Sequence, residues 1–579
     1  MERQASEILK SYLFRHKRMW FYGILAVMFT TAFTMAAPWI LKDAINALHQ
    51  GASAHKLIWY ASAIVGVTIV QGVFRYMMRQ TMIVTSRDIE YEVRGDLFNH
   101  ILTLDRPYFD NMPTGDIMAR LTNDLNAIRS MVGPGIMYFI QTFFTFSVTL
   151  VLMLIIDRRL TLIAFIPLPA ISLLTYFVGK EVHKRYMKIQ EQYSSITAEV
   201  QENLSGIRVV KAYVQEENAI KRFARFNREY VRRNMAMVKV WGMFFPIIFG
   251  LSSLAMALVL WIGGDQVING ALTLGGLVAF TSYLMLLMWP MAALGWILGL
   301  YQRGMASMKR CTAIFNARPV IETPEKPIKV KELAGKIEFK NLSFAYNGQP
   351  VIQNINLRIE PGQTVAIVGH TGSGKSSLVS LLPRLYPIPR GMLLIDDKDI
   401  NDYDTLSLRA RIGYVAQETV LFSQTIQHNI AFGGEIPEKS MKEAASLANI
   451  AGDIEGFPGG YETMLGERGI TLSGGQKQRT ALARALAIQP KILILDDVFS
   501  SVDTSTEEQI LRNLRQVFSS CTTLIISHRV STVQNSDLII VLKDGQIAER
   551  GTHSELLQLN GIYALLYERQ LLKQQLEAL

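Results

Sequence analysis

"TVAIVGHTGSGKSSLVSLL", residues 364–382, decides the fold of the second half of this chain. Four apolar residues, Val365 to Val368, run into Gly369-x-x-x-x-Gly374-Lys375-Ser376, and an apolar-periodic segment follows. A strand, a glycine-rich turn and a helix form the context in which this spacing cradles phosphate. Glycines let backbone N–H groups curl around phosphate oxygens, and the helix presents its positive end. Gly369, His370, Thr371, Gly372, Ser373, Gly374, Lys375, Ser376 and Ser377 are therefore the candidate nucleotide-binding loop. Lys375 supplies charge to the β and γ phosphates, and the Ser376 hydroxyl is suited to hold Mg²⁺.

Working outward, "KILILDDVFSSVD", 491–503, reads as a short buried strand ending in two adjacent carboxylates. Asp496 fits the acid that closes such a strand and holds Mg²⁺, and the metal offsets the repulsion from Asp497. A blander reading is helix capping. Thr504, three residues before Glu507, reads as a capping box. It accounts for 503–508 but leaves Asp496 and Asp497 unused.

Residues 1–315 have another character. The chain has 579 residues, only 19% of them charged, with a mean hydropathy of +0.19. The apolar excess falls before residue 300. Six segments are apolar over the roughly 20 residues needed to cross a bilayer: 20–41, 57–78, 135–156, 160–179, 240–263 and 274–298. Six buried helices of a soluble protein would require an implausibly large core. The net charge of +10 flanks these segments, which argues for an anionic membrane face and against nucleic acid. Lys and Arg in "RHKR", "KEVHKRYMKIQ" and "KRFARFNREYVRRN" put both termini and both long loops in the cytosol. Arg158 and Arg159, in a short outer link, run against that assignment and are outnumbered.

The prolines Pro167, Pro169, Pro246 and Pro290 are expected to interrupt helical hydrogen bonding. Cys311 and Cys521 are too few and too far apart in sequence for a disulfide framework, and no removable signal peptide is evident. "NARPVIETPEKPIKVKELAG", 316–335, reads as a linker, and 336–579 as an α/β nucleotide-binding domain.

Between the two motifs lies "TLSGGQKQRTALARAL", with Ser473, Gly474, Gly475 and Gln476. This resembles the ABC ATPase signature, and with six spans ahead of it the whole chain resembles an ABC exporter half-transporter. The fold implied is an α-helical six-span transmembrane bundle followed by an α/β P-loop ABC ATPase domain. The resemblance implies ATP and Mg²⁺ as cofactors. Tyr346 would stack on adenine, Gln417 would reach the metal, and His528 would contact the γ-phosphate. Glu467, Arg468 and Gly469 match the exporter loop, and Asp503 the D-loop. "DNMPTGDIMARLTNDLNAI" and "QENLSGIRVVKAYVQEE" resemble the coupling helices. The resemblance also implies head-to-tail pairing of two ATPase domains, so a second subunit is required.

One residue departs from the family pattern. After the Asp of such strands the family usually carries Glu, which polarises the attacking water. Here it is Asp497, shorter by one C–C bond of roughly 1.5 Å. Displacing a catalytic group by about 1 Å can cost on the order of 100-fold. The expectation is a slow site in one subunit of a heterodimeric bacterial exporter whose partner carries the Glu. A homodimeric lipid flippase is the runner-up. An importer subunit would keep its membrane and ATPase parts on separate chains, and a soluble ABC ATPase would lack spans. Met-rich and aromatic stretches such as "YLMLLMWPMAALGW" suit amphipathic small molecules in the bacterial inner membrane.

Overall fold

The computed structural model describes residues 2–466, 469 and 472–578. The chain divides into two compact units, residues 1–103 with 113–317, and residues 104–112 with 318–579.

In the first unit, helix α1 (Glu2–Arg15) precedes α2 (Lys17–His49) and α3 (Ala54–Leu102). After α4 (Arg106–Asn111) come α5 (Thr114–Ala119), α6 (Leu125–Ser130) and α7 (Ile136–Ile156), joined by π-helical turns into one run. Then follow α8 (Arg158–Phe165), α9 (Leu168–Ser205), α10 (Ile207–Ala212), α11 (Glu216–Ile268) and α12 (Leu274–Phe315). At 1.5 Å per residue, the 49 residues of α3 extend roughly 74 Å, far more than the ~30 Å hydrocarbon layer.

Among the described residues, five helices are long and apolar enough to cross a membrane: α2, α3, the run Thr114–Ile156, α11 and α12. The expected fourth segment, 160–179, is divided. Helix α8 stops at Phe165 and α9 starts at Leu168. Proline has no N–H to donate and disfavours helical backbone at the residue before it, so Ile166–Pro167 is where the ladder breaks. Pro169 falls in the first turn of α9, where the missing donor costs nothing. Pro246 and Pro290 are carried inside unbroken helices.

Helix α12 is the packing centre of this unit. Phe280, Tyr283 and Leu287 are fully buried beside Val259 and Met153, and the Tyr283 hydroxyl donates to the Met35 carbonyl at 2.8 Å. Further along, Asp124 accepts from Ser307 Oγ at 2.9 Å and from Arg310 Nε at 2.8 Å, tying α12 to the turn before α6.

The second unit holds two sheets. Strands β1 (Ile337–Tyr346), β2 (Gln349–Ile359), β4 (Leu393–Ile395) and β5 (Lys398–Asp399) form an antiparallel sheet in the order β2-β1-β4-β5. Strands β3 (Thr364–Val368), β6 (Ile412–Val415), β7 (Ile492–Asp496), β8 (Thr522–Ile526), β9 (Leu538–Lys543) and β10 (Gln546–Gly551) form the larger sheet, in the order β10-β9-β3-β8-β7-β6. Its strands are parallel except for β10 at the edge. Helices cover both faces of such a sheet, so β3, β7 and β8 are buried along their whole length and read as continuous apolar runs.

Candidate functional site

Strands β3, β7 and β8 all end on one edge of the larger sheet, where ligands of open α/β sheets bind. Gly369, just past β3, has φ +149°, and a Cβ there would lie 2.2 Å from the Leu542 carbonyl oxygen. Gly374 has φ +96°, and a Cβ there would lie 2.7 Å from Ile352 Cδ1. Only glycine fits either position. The chain then enters α13 (Lys375–Ser380).

Thr371, Gly372, Gly374, Lys375, Ser376, Ser377, Gln417, Asp496, Asp497 and His528 line one cleft of about 260 Å³, together with Val351 and Ile526. Residues spread over more than 150 positions in sequence thus converge. Within it, Lys375 Nζ is almost fully buried and donates to the carbonyls of Gly369 (2.9 Å) and His370 (2.8 Å). Burial holds its pKa below the usual lysine range, with Asp496 and Asp497 acting in the other direction. Ser376 Oγ donates to Asp496 Oδ1 at 3.0 Å. Asp496 is 2% exposed, and burial raises its pKa above the ordinary carboxylate range. The neighbouring Asp497 adds to that rise, while Ser376 opposes it.

Asp497 itself is only partly buried and sits at φ +50°, a left-handed conformation that Asp tolerates better than most residues. Its backbone N–H donates to the Ile526 carbonyl at 2.9 Å, which fixes the carboxylate at the cleft.

The donor set fits a magnesium nucleotide. Ser373 Oγ is buried with no protein partner, as is expected of a group reserved for a ligand. A hydroxyl and one carboxylate, Ser376 and Asp496, already touch, and Mg²⁺ is commonly held by one or two carboxylates plus substrate phosphates. No three-residue His/Cys/Asp/Glu cluster occurs among the described residues, and none is needed for such a site.

Other expected residues lie elsewhere. Tyr346, at the end of β1, is outside the cleft lining and stacks edge-on against Phe344 and Tyr386, with centroids 4.8 and 5.1 Å away. Ser473 caps the helix Gly474–Ala487 in a closed capping box. Its Oγ accepts from Gln476 N–H, and Gln476 Oε1 accepts from Ser473 N–H at 3.0 Å. Gly474 and Gly475 lie against Ser501, where a Cβ on Gly475 would come within 2.9 Å of the Ser501 carbonyl. None of Ser473, Gly474, Gly475 and Gln476 lines the cleft. Glu467 and Arg468 are outside the described residues.

The capping-box reading of 503–508 needs correction. Asp503, not Thr504, caps the helix Thr504–Ser520, accepting from Thr506 N–H at 2.9 Å. Glu507 is 1% exposed and pairs with Arg529 at 2.5 Å and with the Thr532 hydroxyl. It serves the core, not the cap.

Sequence reading missed two contributors. Gln478 donates to Ser500 Oγ at 2.8 Å and accepts from Ser501 N–H at 3.0 Å, linking the signature helix to the segment after Asp497. The spacing in "GGQKQR" held that signal. Helix α4 belongs to the ATPase unit, its Asp110 accepting from the Tyr386 hydroxyl at 2.7 Å and its flanking Asp105 from Ile321 N–H at 2.7 Å. The first stretch expected to couple, 110–128, overlaps that segment only at its first three residues. Asp105 before Arg106-Pro107 was the available helix-start signal.

Comparison with known proteins agrees with this geometry. The ABC transporter transmembrane region family matches residues 20–291, and the ABC transporter family matches residues 352–500. The chain is 36% identical to the "probable multidrug resistance ABC transporter ATP-binding/permease protein YheI" of Bacillus subtilis, over 97% of each chain. It is 34% identical to an "ATP-dependent lipid A-core flippase" of Syntrophus aciditrophicus, covering 95% of this chain and 91% of that one. Among solved structures, a bacterial Atm1-family ABC exporter with ATP bound superposes with a TM-score of 0.80 at 29% identity, over 96% of this chain and 99% of that one. With a helical membrane unit, an ATPase unit and a phosphate loop in one polypeptide, the chain belongs to the ABC exporter family of ATP-driven half-transporters.

Proposed function

We propose that this chain is the slow-site subunit of a heterodimeric exporter of amphipathic small molecules in the bacterial inner membrane. The termini and the ATPase unit are on the cytoplasmic side. The observation that carries this reading is Asp497, which lines the phosphate cleft where the longer Glu is usual in the family. Backbone N–H groups of 369–377 and Lys375 hold the phosphates. Ser376, Asp496 and Gln417 hold Mg²⁺. Tyr346 stacks on the base, His528 meets the γ-phosphate, and Asp497 orients water from too far back. Ser473, Gly474, Gly475 and Gln476 serve the partner's nucleotide, which agrees with their distance from this chain's own cleft lining. Exposed Trp289, Met285 and Trp296 on α12 suit varied apolar ligands.

The lipid A-core flippase similarity favours one second reading, a homodimeric lipid flippase. Turnover tests the slow site itself, which a homodimer of this chain would carry twice. The purified chain alone is expected to hydrolyse ATP slowly, and Asp497→Glu to raise turnover on the order of 10- to 100-fold. Brisk turnover by the unmodified chain alone would overturn the slow-site assignment.

A further inference from the structure

Two clefts of about 520 and 480 Å³ run along the seam of α9 and α11 and share Arg185, Arg232 and Ala236. Together they are lined by six cations, Lys184, Arg185, Lys188, Arg232, Arg233 and Lys239, against three carboxylates. Those carboxylates are already engaged: Glu181 pairs with Arg185 at 2.8 Å, and Glu229 with Arg232 and Arg233 at 2.8 and 2.9 Å. Glu191 reaches Arg233 at 3.7 Å. Among the described residues, Lys184, Lys188 and Lys239 have no acidic partner, and all three are exposed.

The seam is rigid. Arg185 Nη1 donates to the Ala236 carbonyl at 2.9 Å, Arg233 Nη1 to the Lys188 carbonyl at 2.7 Å, and Gln192 Nε2 to the Phe226 carbonyl at 3.0 Å. Side chains of each helix thus hold the backbone of the other, and Lys184, Lys188 and Lys239 line the trough between them. The second cleft then turns apolar through Met235, Val240 and Met243, with Met235 and Met243 more than half exposed. This change falls where α11 passes from "REYVRRN" into the uncharged "WGMFFPIIFGLSSLAMALVLWI". A trough that is cationic at one end and apolar at the other, at the border of a membrane span, matches an anionic lipid in charge and polarity.

We propose that this trough holds a phosphorylated, anionic membrane lipid. Its headgroup lies between Lys184, Lys188 and Lys239, and an acyl chain runs along Met235 and Met243. The site is independent of which substrate is exported and of the Asp497 assignment.

Native mass spectrometry of the full-length protein, titrated with phosphatidylglycerol or phosphatidylcholine, tests this. Phosphatidylglycerol is expected to bind more tightly. Lys184→Gln/Lys188→Gln/Lys239→Gln is expected to weaken it on the order of 100-fold, at about fivefold per lysine near a charged surface. Phosphatidylcholine binding stays the same. Replacing the same three lysines by Arg retains the lipid, and so does Lys439→Gln/Lys442→Gln on the ATPase unit. Equal affinity for the two lipids would overturn the proposal, as would full retention of phosphatidylglycerol by the Gln variant. Displacement of the lipid by millimolar inorganic phosphate would show a soluble-anion site instead. Efficient cross-linking between copies through Lys188→Cys would show that a second copy covers the trough; either result overturns the lipid assignment.

Discussion

The phosphate cleft and the signature turn are built from the same materials, glycines and a helix start, yet their polar groups are treated in opposite ways. In the cleft, Lys375 and Asp496 are almost wholly withdrawn from solvent, and each leans on a neighbour that a ligand would replace or share, the 369–370 carbonyls and Ser376. At the signature turn, Ser473 and Gln476 satisfy one another in a closed cap and remain partly or fully open to water. A buried charge is costly unless paired, so the cleft is poised for a counter-charge. A self-satisfied cap is stable without one. On the roles proposed above, the cleft binds by itself, whereas the signature acts only when another subunit brings nucleotide to it.

That contrast can be broken by substitution. The largest effect is expected from Lys375→Ala, which removes charge-assisted contacts worth about 1.5–3 kcal/mol each. Nucleotide affinity of the lone chain should fall on the order of 100-fold, as read by calorimetric titration with ATP. Ser473→Ala sharpens the comparison from the other side. ATP affinity of the lone chain should stay within about twofold, while turnover of the assembled dimer falls roughly tenfold, one hydrogen bond to a charged group being lost. If the lone chain lost its affinity instead, the two regions would not be separable. The smallest effect concerns pH. Because burial raises the pKa of Asp496, the folded, metal-free protein keeps a proton that the unfolded chain has released. This contribution to stability rises as pH falls through the raised pKa toward the ordinary value near 4. Asp496→Asn should remove that slope, a change below about 1.4 kcal/mol per pH unit, visible in urea midpoints measured from pH 7 to 4.

Much of the cleft was legible because its chemistry forces residue types. Gly369 and Gly374 admit no side chain, and a strand buried on both faces must read as Ile492 to Leu495 does. The fused membrane and ATPase layout was legible from hydropathy in the first half and the phosphate-loop and signature motifs in the second. Contacts that depend on which local bond wins were not. Thr504 and Asp503 are both good caps, and only the fold shows that Asp503 takes the Thr506 N–H, leaving Glu507 to Arg529. An interruption at Pro167 was legible from the proline itself, yet the span 160–179 still ran across it because hydropathy averages over a window and does not see one missing donor. Helix α4 escaped because six residues carry no periodic signal; its place is set by Tyr386 and Ile321, more than 200 positions away.

That nine-residue segment, Leu104–Met112, bears on how the ATPase unit tolerates being cut free. Asp105 holds the Ile321 N–H, Asp110 holds the Tyr386 hydroxyl, and Asn111 accepts from Asn347 Nδ2 at 3.2 Å. A truncation starting at residue 318 would keep every nucleotide ligand yet strip the acceptors from these three donors, on the flank where Tyr346 rests on Tyr386. Supplying Leu104–Met112 as a separate peptide is the natural way to restore what such a fragment lacks.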